Sequence, residues 1–483
     1  MKQFFVSKTL PFWLFTISAI LILTISQLIQ DGVFMDGMLY ISVSKNLADG
    51  LGTFWEPHFS LTYYDIFREQ PPLYFGLLAA FYKVFGTSMY VERLFCFICF
   101  TFTLIYIHRI WKTLFSDDEQ INKNSWLPIL FFISIPICFW SYSNHVEETV
   151  MTLFTTMSVY YLSKVLFKKE NVIFYLILGG LCIFLSSLTK GIQGLFPITA
   201  VFWYWLINNK GITFKKNILY SIILIGTPVL IYGILIFFNT HIYDVFKLYF
   251  ENRLGMTFNN TERFTTDNRF EIMFRLFTEL IPMYILMLFI YLFSKKYMVV
   301  SVNKNEHFKR ITWLLLIGFS GSLPLMITLE QRGFYLLTTL PLFTIAGAAM
   351  FANKINALVE KINVDGNFYK YAKWTTFVIL LFSLTFTISK IGETKRDKNL
   401  LSDIYNIGKI IPYGSIVKIA PEMGPDYSLR EYFIRNFYIN TDNSNTPHEY
   451  YIIRKNLSKN LIPHNYMLYP LVTKEIDLYR IVK

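Results

Sequence analysis

Long stretches with almost no charge alternate with short polar connections along most of the chain. Neither the two-residue period of a half-buried strand nor the 3.6-residue period of a surface helix governs those stretches. They run for about 17 to 22 residues, the length of α-helix that crosses a hydrocarbon core of roughly 30 Å. About eleven spans are predicted, at 11–29 and near 93–111, 126–142, 150–167, 172–189, 192–208, 217–238, 277–293, 311–329, 334–351 and 374–391. A further apolar stretch, 71–85, is short, opens on a Pro pair and carries Lys83, and reads as an interfacial helix. After residue 391 the pattern changes: β-like runs at 415–420 and 450–454 flank a helix-like segment near 428–437. The pattern predicts an all-α polytopic membrane domain over 1–391, with a large first loop at about 30–92, and a small α+β domain over 392–483.

Composition agrees: 54% of the 483 residues are apolar and only 16% charged, against about a quarter charged in soluble proteins, which excludes an ordinary globule. The net charge of +12 would raise nucleic acid as a partner in a soluble domain, but its placement decides otherwise. Lys2, Lys8, Arg109, Lys112, Lys164, Lys168, Lys169, Lys215, Lys216, Lys295, Lys296, Lys354 and Lys361 sit in short connections between spans. Such connections are cytoplasmic by the positive-inside bias, so the N-terminus is expected inside and, with an odd number of spans, the tail outside. Reading 71–85 as a span would put the pairs at 168/169, 215/216 and 295/296 on the wrong side. The first span lacks a small-residue cleavage site and is expected to be an anchor, and a bacterial inner membrane is the expected location. Cys96, Cys99, Cys138 and Cys182 all lie in apolar runs, which excludes a disulfide framework outside the membrane. Asn259 and Asn456 open Asn-x-Ser/Thr triplets that carry little weight.

With that topology the outside holds the first loop, a loop at 239–275 and the tail, and chemistry is expected there. The first loop is rich in acids and aromatics: Asp31, Asp36 and Tyr40, then Asn46-Leu47-Ala48, and Arg68-Glu69-Gln70-Pro71-Pro72 at its end. Asn144-His145-Val146-Glu147-Glu148 follows the third span, Thr189-Lys190-Gly191 joins the fifth to the sixth, and Glu330-Gln331-Arg332-Gly333-Phe334-Tyr335 joins the ninth to the tenth. Each alone reads as helix capping or snorkelling, but four on one membrane face suggest a site, because acids at a membrane boundary are costly. Carboxylates and cations beside a hydrophobic vestibule suit a lipid-phosphate sugar donor. An Asp would take the acceptor hydroxyl proton, and Lys or Arg would neutralise the departing phosphate.

The run Met35-Asp36-Gly37 with Tyr40 and Asn46-Leu47-Ala48, then Glu69-Gln70-Pro71-Pro72-Leu73 and Glu92-Arg93-Leu94, resembles the first periplasmic loop of the GT-C glycosyltransferases. The nearest kin are the dolichyl-phosphate-mannose protein mannosyltransferases and the lipid A aminoarabinose transferase. Glu148 to Phe154, Leu188-Thr189-Lys190-Gly191 through Pro197, and Tyr335 to Pro341 resemble later landmarks in the same order.

The resemblance implies an inverting transfer of one sugar from a polyprenyl-phosphate donor to a lipid, glycan or protein acceptor, with Asp36 as base. Asp31 is the competitor; Tyr40 and the Asn-Leu-Ala segment follow Asp36 at the family's spacing. Two departures stand out: Gly37 where the family often has Glu, and Gln70 where it has Lys or His before Pro-Pro. With no cation at Gln70, Lys190, Arg332 or Arg93, with Tyr335, would meet the donor phosphate. Glu69 and Glu148 would orient the acceptor or bind a divalent cation together with Asp36. Zinc through His58 or His145 is a weaker option, since no ligand spacing enforces either, and no metal is assigned. Pro71 and Pro72 would set the chain where the loop re-enters the interface.

A transporter or flippase would place ionisable or helix-breaking residues near mid-membrane, often in two repeats, and neither is visible. A polysaccharide polymerase or ligase would carry its large loop late in the chain. The 239–275 loop and the tail are expected to shape the acceptor side.

Overall fold

The computed structural model describes residues 7–208, 211–255, 265–295 and 304–482; Lys2, Lys296 and Asn259 lie outside these. Eight helices are long and apolar enough to cross a membrane, or ten if the bent pairs Trp126–Ser134 with Pro136–Ser143 and Glu271–Glu279 with Ile281–Ser294 are each one span. The expected spans at 172–189 and 192–208 fall in one helical stretch, Val172–Ile207, which accounts for the difference from eleven. That stretch is not straight. The Ser186 hydroxyl donates to the Gly194 carbonyl at 2.7 Å, whereas residues eight apart in a straight helix are separated by about 12 Å along the axis. The chain doubles back at Gly191, whose φ of +65° suits only glycine without strain, and continues as a 3₁₀ segment, Gly191–Ile198, into Thr199–Ile207. The bend at Ile135 precedes Pro136, which has no N–H to continue the helix.

The chain forms two compact units. The first, Met1–Leu28, Cys96–Ser143 and Glu147–Ile391, holds all of these spans except the first residues of Met89–Leu114. Its helices Phe214–Phe238 and Asn367–Ser389 are apolar on every side, and Ile222, Val229, Phe237, Val378 and Phe382 are exposed on them. Hydrocarbon is the solvent such a surface needs.

The second unit joins Ile29–Phe95, Asn144–Val146 and Gly392–Lys483, so the first loop and the tail form one body. The tail carries a five-stranded sheet of β1 (Ile416–Ile419), β2 (Asn440–Asp442), β3 (Tyr450–Arg454), β4 (Tyr466–Leu468) and β5 (Ile476–Ile481), in the order β2-β1-β3-β5-β4. β1 pairs in parallel with β2 and β3, while β3, β5 and β4 pair antiparallel. A parallel neighbour requires a crossover, and helix Tyr427–Phe437 supplies it between β1 and β2. Asp426 caps that helix by accepting from Leu429 N at 3.2 Å, and Tyr438 ends it in the left-handed conformation.

The loop's own helices are Met35–Ala48 and Leu73–Phe85. Met35–Ala48 is a core helix: Met38 and every residue from Tyr40 to Asn46 are buried, and Lys45 is tolerated because it pairs with Asp49 at 2.7 Å. The 13-residue Leu73–Phe85 is about 20 Å long, too short to span, and buries Tyr74, Phe75, Leu78 and Tyr82.

Candidate functional site

Asp36 lies in the first turn of Met35–Ala48, where a negative charge complements the helix dipole. The approach to that turn is held from two directions. Asn144 Oδ1 accepts from Phe34 N at 2.9 Å, and the Tyr432 hydroxyl accepts from Val33 N at 3.2 Å. The same hydroxyl lies 3.0 Å from both Val33 O and Asp397 Oδ2, to either of which it can donate. Tyr432 belongs to the tail helix Tyr427–Phe437, so the tail sets where Asp36 stands. Ser42 strengthens the pairing of the two helices, donating to Met38 O at 2.8 Å with the Glu431 carbonyl at 3.3 Å.

Asp31 is occupied: Oδ2 accepts from the Tyr405 hydroxyl at 2.6 Å, and Oδ1 accepts from Gly32 N at 2.8 Å and faces Arg93 at 3.4 Å. Arg93 is 3% exposed and donates to Gln30 O and Met89 O, with the carboxylates of Asp31 and Glu92 alongside. Its donors are spent inside the unit, which makes it a tie rather than a free phosphate contact. Glu92, itself buried, receives Arg435 from the tail helix at 2.7 and 3.0 Å and the Tyr82 hydroxyl. Burial alone would lower the Arg435 pKa, but the Glu92 carboxylate outweighs it and raises it. Glu92 and Arg435 are 343 residues apart, and no local pattern marks them as partners. Glu431, buried on the same tail helix, was likewise not foreseen.

In the other unit Lys190 ends helix Val172–Lys190 and is 9% exposed. Its ammonium is ion-paired to Glu148, the first residue of Glu148–Ser163, and lies 4.7 Å from the ring centre of Tyr335 and 5.7 Å from that of Phe334. Gln193 donates to Tyr335 O at 2.8 Å, and Phe334 stacks on Trp140 with ring centroids 5.7 Å apart. Three connections distant in sequence therefore meet: the one before Glu148, the one after Lys190 and the one ending in Tyr335. A cation here is held against aromatic faces in a low-dielectric setting, where its pull on an anion is stronger than in water. Half-buried Arg332 precedes this 3₁₀ segment, and its guanidinium has no hydrogen-bond or ion-pair partner among the described residues. The loop at 239–275 also reaches the turn: a Cβ at Gly191 would lie 2.5 Å from the hydroxyl of Tyr249, which ends helix His241–Tyr249.

The remaining expected residues are distributed as follows. Tyr40 packs its ring against Phe67, Tyr74 and Phe75, an aromatic cluster in the core of its unit. Glu69 accepts from the Tyr64 hydroxyl at 3.2 Å. Pro72 is the residue before Leu73–Phe85 and accepts from Gly76 N at 3.0 Å, and Pro71 is buried beside it. His58 sits between Asp65 at 2.6 Å and the Tyr438 hydroxyl at 2.7 Å. His145 has a φ of +58°, and burial, reinforced by Arg93, Lys395 and Arg435, pushes its pKa well down. Among the described residues no group of three or more His, Cys, Asp or Glu side chains could hold a metal ion, and all four cysteines are free and buried.

Residues 69–236 match the family model described as dolichyl-phosphate-mannose-protein mannosyltransferase. No curated protein matches the chain in sequence. Among solved structures it is similar to ArnT from Cupriavidus metallidurans bound to undecaprenyl phosphate, at 12% identity over 96% of this chain and 97% of that one, with a TM-score of 0.64. The apo state of the same protein matches at 12% identity over the same shares, 96% and 97%, with a TM-score of 0.63. An oligosaccharyltransferase from Archaeoglobus fulgidus, in complex with Zn and sulfate, matches at 11% identity over 91% of this chain and 68% of that one, with a TM-score of 0.49.

Proposed function

We propose that this chain, a GT-C membrane glycosyltransferase by fold and by its family match, moves a single sugar from a polyprenyl-phosphate donor to a lipid, glycan or protein acceptor on the extracytoplasmic face. The observation that carries this reading is the near end-to-end likeness to an ArnT structure that holds undecaprenyl phosphate. The reaction inverts the anomeric centre. Asp36 takes the proton of the acceptor hydroxyl as its oxygen forms a bond to the anomeric carbon, and the carbon–oxygen bond to phosphate breaks with its electron pair on the phosphate oxygen. Lys190, Arg332 and Tyr335 meet the charge that grows there. Lys190 can serve because its Glu148 partner keeps it charged in a buried place, and Arg332 because its donors are uncommitted among the described residues. The Asp31 and Arg93 side chains maintain the loop.

The test is transfer of label from a set of polyprenyl-phosphate sugars in proteoliposomes. Asp36→Asn is expected to reduce turnover by about 10²–10⁴-fold with the protein still folded, the range of a lost acid–base group. Lys190→Gln is expected to raise the donor KM and lower kcat together. Full activity in Asp36→Asn sinks the base assignment; absence of transfer with every donor sinks the function.

A further inference from the structure

At the end of the spans away from Lys190, a cavity of about 360 Å³ opens between the last turns of Met89–Leu114 and of Glu148–Lys168, lined by Arg109, Lys112, Ser116, Tyr160, Lys164 and Lys168. Glu148 and Lys168 stand at opposite ends of a 21-residue helix, about 30 Å apart. Among the described residues the lining holds four cations and one acid, Glu170, and that acid is engaged. The chain turns back at Lys169, left-handed at φ +56°, and Glu170 pairs with Lys164 at 2.8 Å. Neighbouring acids are held elsewhere: Asp117 takes both terminal nitrogens of Arg310 at 2.8 and 2.7 Å, and Asp118 caps the helix Glu119–Asn122. The other three cations meet no carboxylate among the described residues. Lys112 donates to the Asn122 side-chain oxygen at 2.8 Å, and Lys168 meets the Ser116 hydroxyl. Arg109 lies over the rings of Tyr106 and Tyr160 at 5.4 and 6.0 Å, with none of its N–H groups hydrogen-bonded among the described residues. Like charges gathered around one cavity repel, and an anion placed among them relieves that repulsion.

We propose that this cavity binds the phosphodiester head group of an anionic phospholipid from the adjoining leaflet. The Arg109 fork is shaped to take two phosphate oxygens, and the ammonium groups add point charge. Basic pockets between spans hold anionic head groups in this way. What continues from the cavity favours a lipid over a free phosphate. Phe102, Ile105, Arg109 and Lys112 follow at steps of three, four and three residues, which puts them on one face of Met89–Leu114. Phe102 and Ile105 are 47% and 37% exposed, so the face runs from a surface suited to hydrocarbon into the basic cavity. An acyl chain lies along Phe102 and Ile105 while its phosphate sits against Arg109 and Lys112; a free phosphate would use only the second half of that face. The positive-inside bias asks for charge in the connections, not for cations from two helices around one cavity.

Native mass spectrometry of the full chain, released from nanodiscs of equal parts phosphatidylglycerol and phosphatidylcholine, tests this. The wild type is expected to retain one phosphatidylglycerol in preference to phosphatidylcholine. Arg109→Gln is expected to weaken that retention about fivefold, the contribution of one basic residue at an anionic surface. Arg109→Gln combined with Lys168→Gln is expected to abolish the preference. Lys215→Gln with Lys216→Gln, an exposed pair on another connection, controls for general surface attraction and is expected to keep it. Arg109 has no hydrogen-bond or ion-pair partner to lose among the described residues, so its single variant reports on binding even if the double variant does not assemble. A preference unchanged in Arg109→Gln, or lost equally in the control pair, overturns the proposal. So does the absence of any lipid preference while inorganic phosphate raises the thermal midpoint of the wild type and not of Arg109→Gln, since the cavity would then serve a free anion.

Discussion

A Cβ at Gly37 would lie 1.8 Å from the backbone oxygen of Asn144, so the residue next to Asp36 has room for no side chain. The glycine where the resembling family often has Glu is thus a packing requirement here. The Asn144 side chain holds Phe34 while its backbone presses on Gly37, so one residue after the third span fixes both ends of the turn that carries Asp36. Gly37→Ala is expected to destabilise the unit by about 1–3 kcal/mol, the usual cost of overpacking, and to lower activity with it. A drop in thermal midpoint checks the first, and wild-type stability in this variant would refute it. Glu431 has a consequence for stability as well. Its folded-state pKa is raised, so the folded protein binds more protons than the unfolded chain, and stability falls as pH rises from the ordinary carboxylate range through the raised value. Glu431→Gln is expected to remove that part of the slope in pH-resolved thermal unfolding. Asp36 was singled out in the sequence by its place among the loop's acids and aromatics, whereas Glu431 sits in a tail with no recognisable motif, and only packing makes its burial visible.

The helix Tyr427–Phe437 does several things at once. It crosses between β1 and β2, holds the approach to Asp36 through Tyr432, and sends Arg435 to Glu92. Breaking one side of a buried ion pair leaves the other charge stranded, which typically costs about 3–5 kcal/mol. Arg435→Ala is therefore expected to loosen the loop from the tail, seen as faster proteolytic cleavage within 49–70 at unchanged spectroscopic helix content. Cleavage at the wild-type rate would mean that the apolar contacts suffice. The spans themselves were legible, because an apolar run of sufficient length can only be a helix in hydrocarbon. The short helix 71–85 was recognised by its length in the same way. The return at Gly191–Gly194 left a weaker trace: two glycines at a helix end signal a break, but that the chain doubles back on Ser186 is a matter of packing.

For the whole molecule, the proposed orientation in the membrane rests on where the basic connections lie, and labelling tests it. Asn445→Cys in the tail and Glu170→Cys in the connection after Glu148–Lys168 both introduce exposed thiols, while the native cysteines are buried. A membrane-impermeant maleimide added to intact cells is expected to label position 445 and to reach position 170 only after lysis. The opposite pattern would turn the topology over and move the chemistry to the cytoplasm. The amino-acid sequence by itself determined the membrane class, the approximate positions of the spans and the existence of a polar tail, because each depends on the local run of apolar or charged residues. Tertiary structure decided that the first loop and the tail are one body, that Arg93 and Asp31 are consumed in holding it, and that Lys190 lies between Glu148 and Tyr335. Those outcomes depend on contacts between residues far apart in the chain, and contact at long range is set by how surfaces fit, which no local pattern encodes.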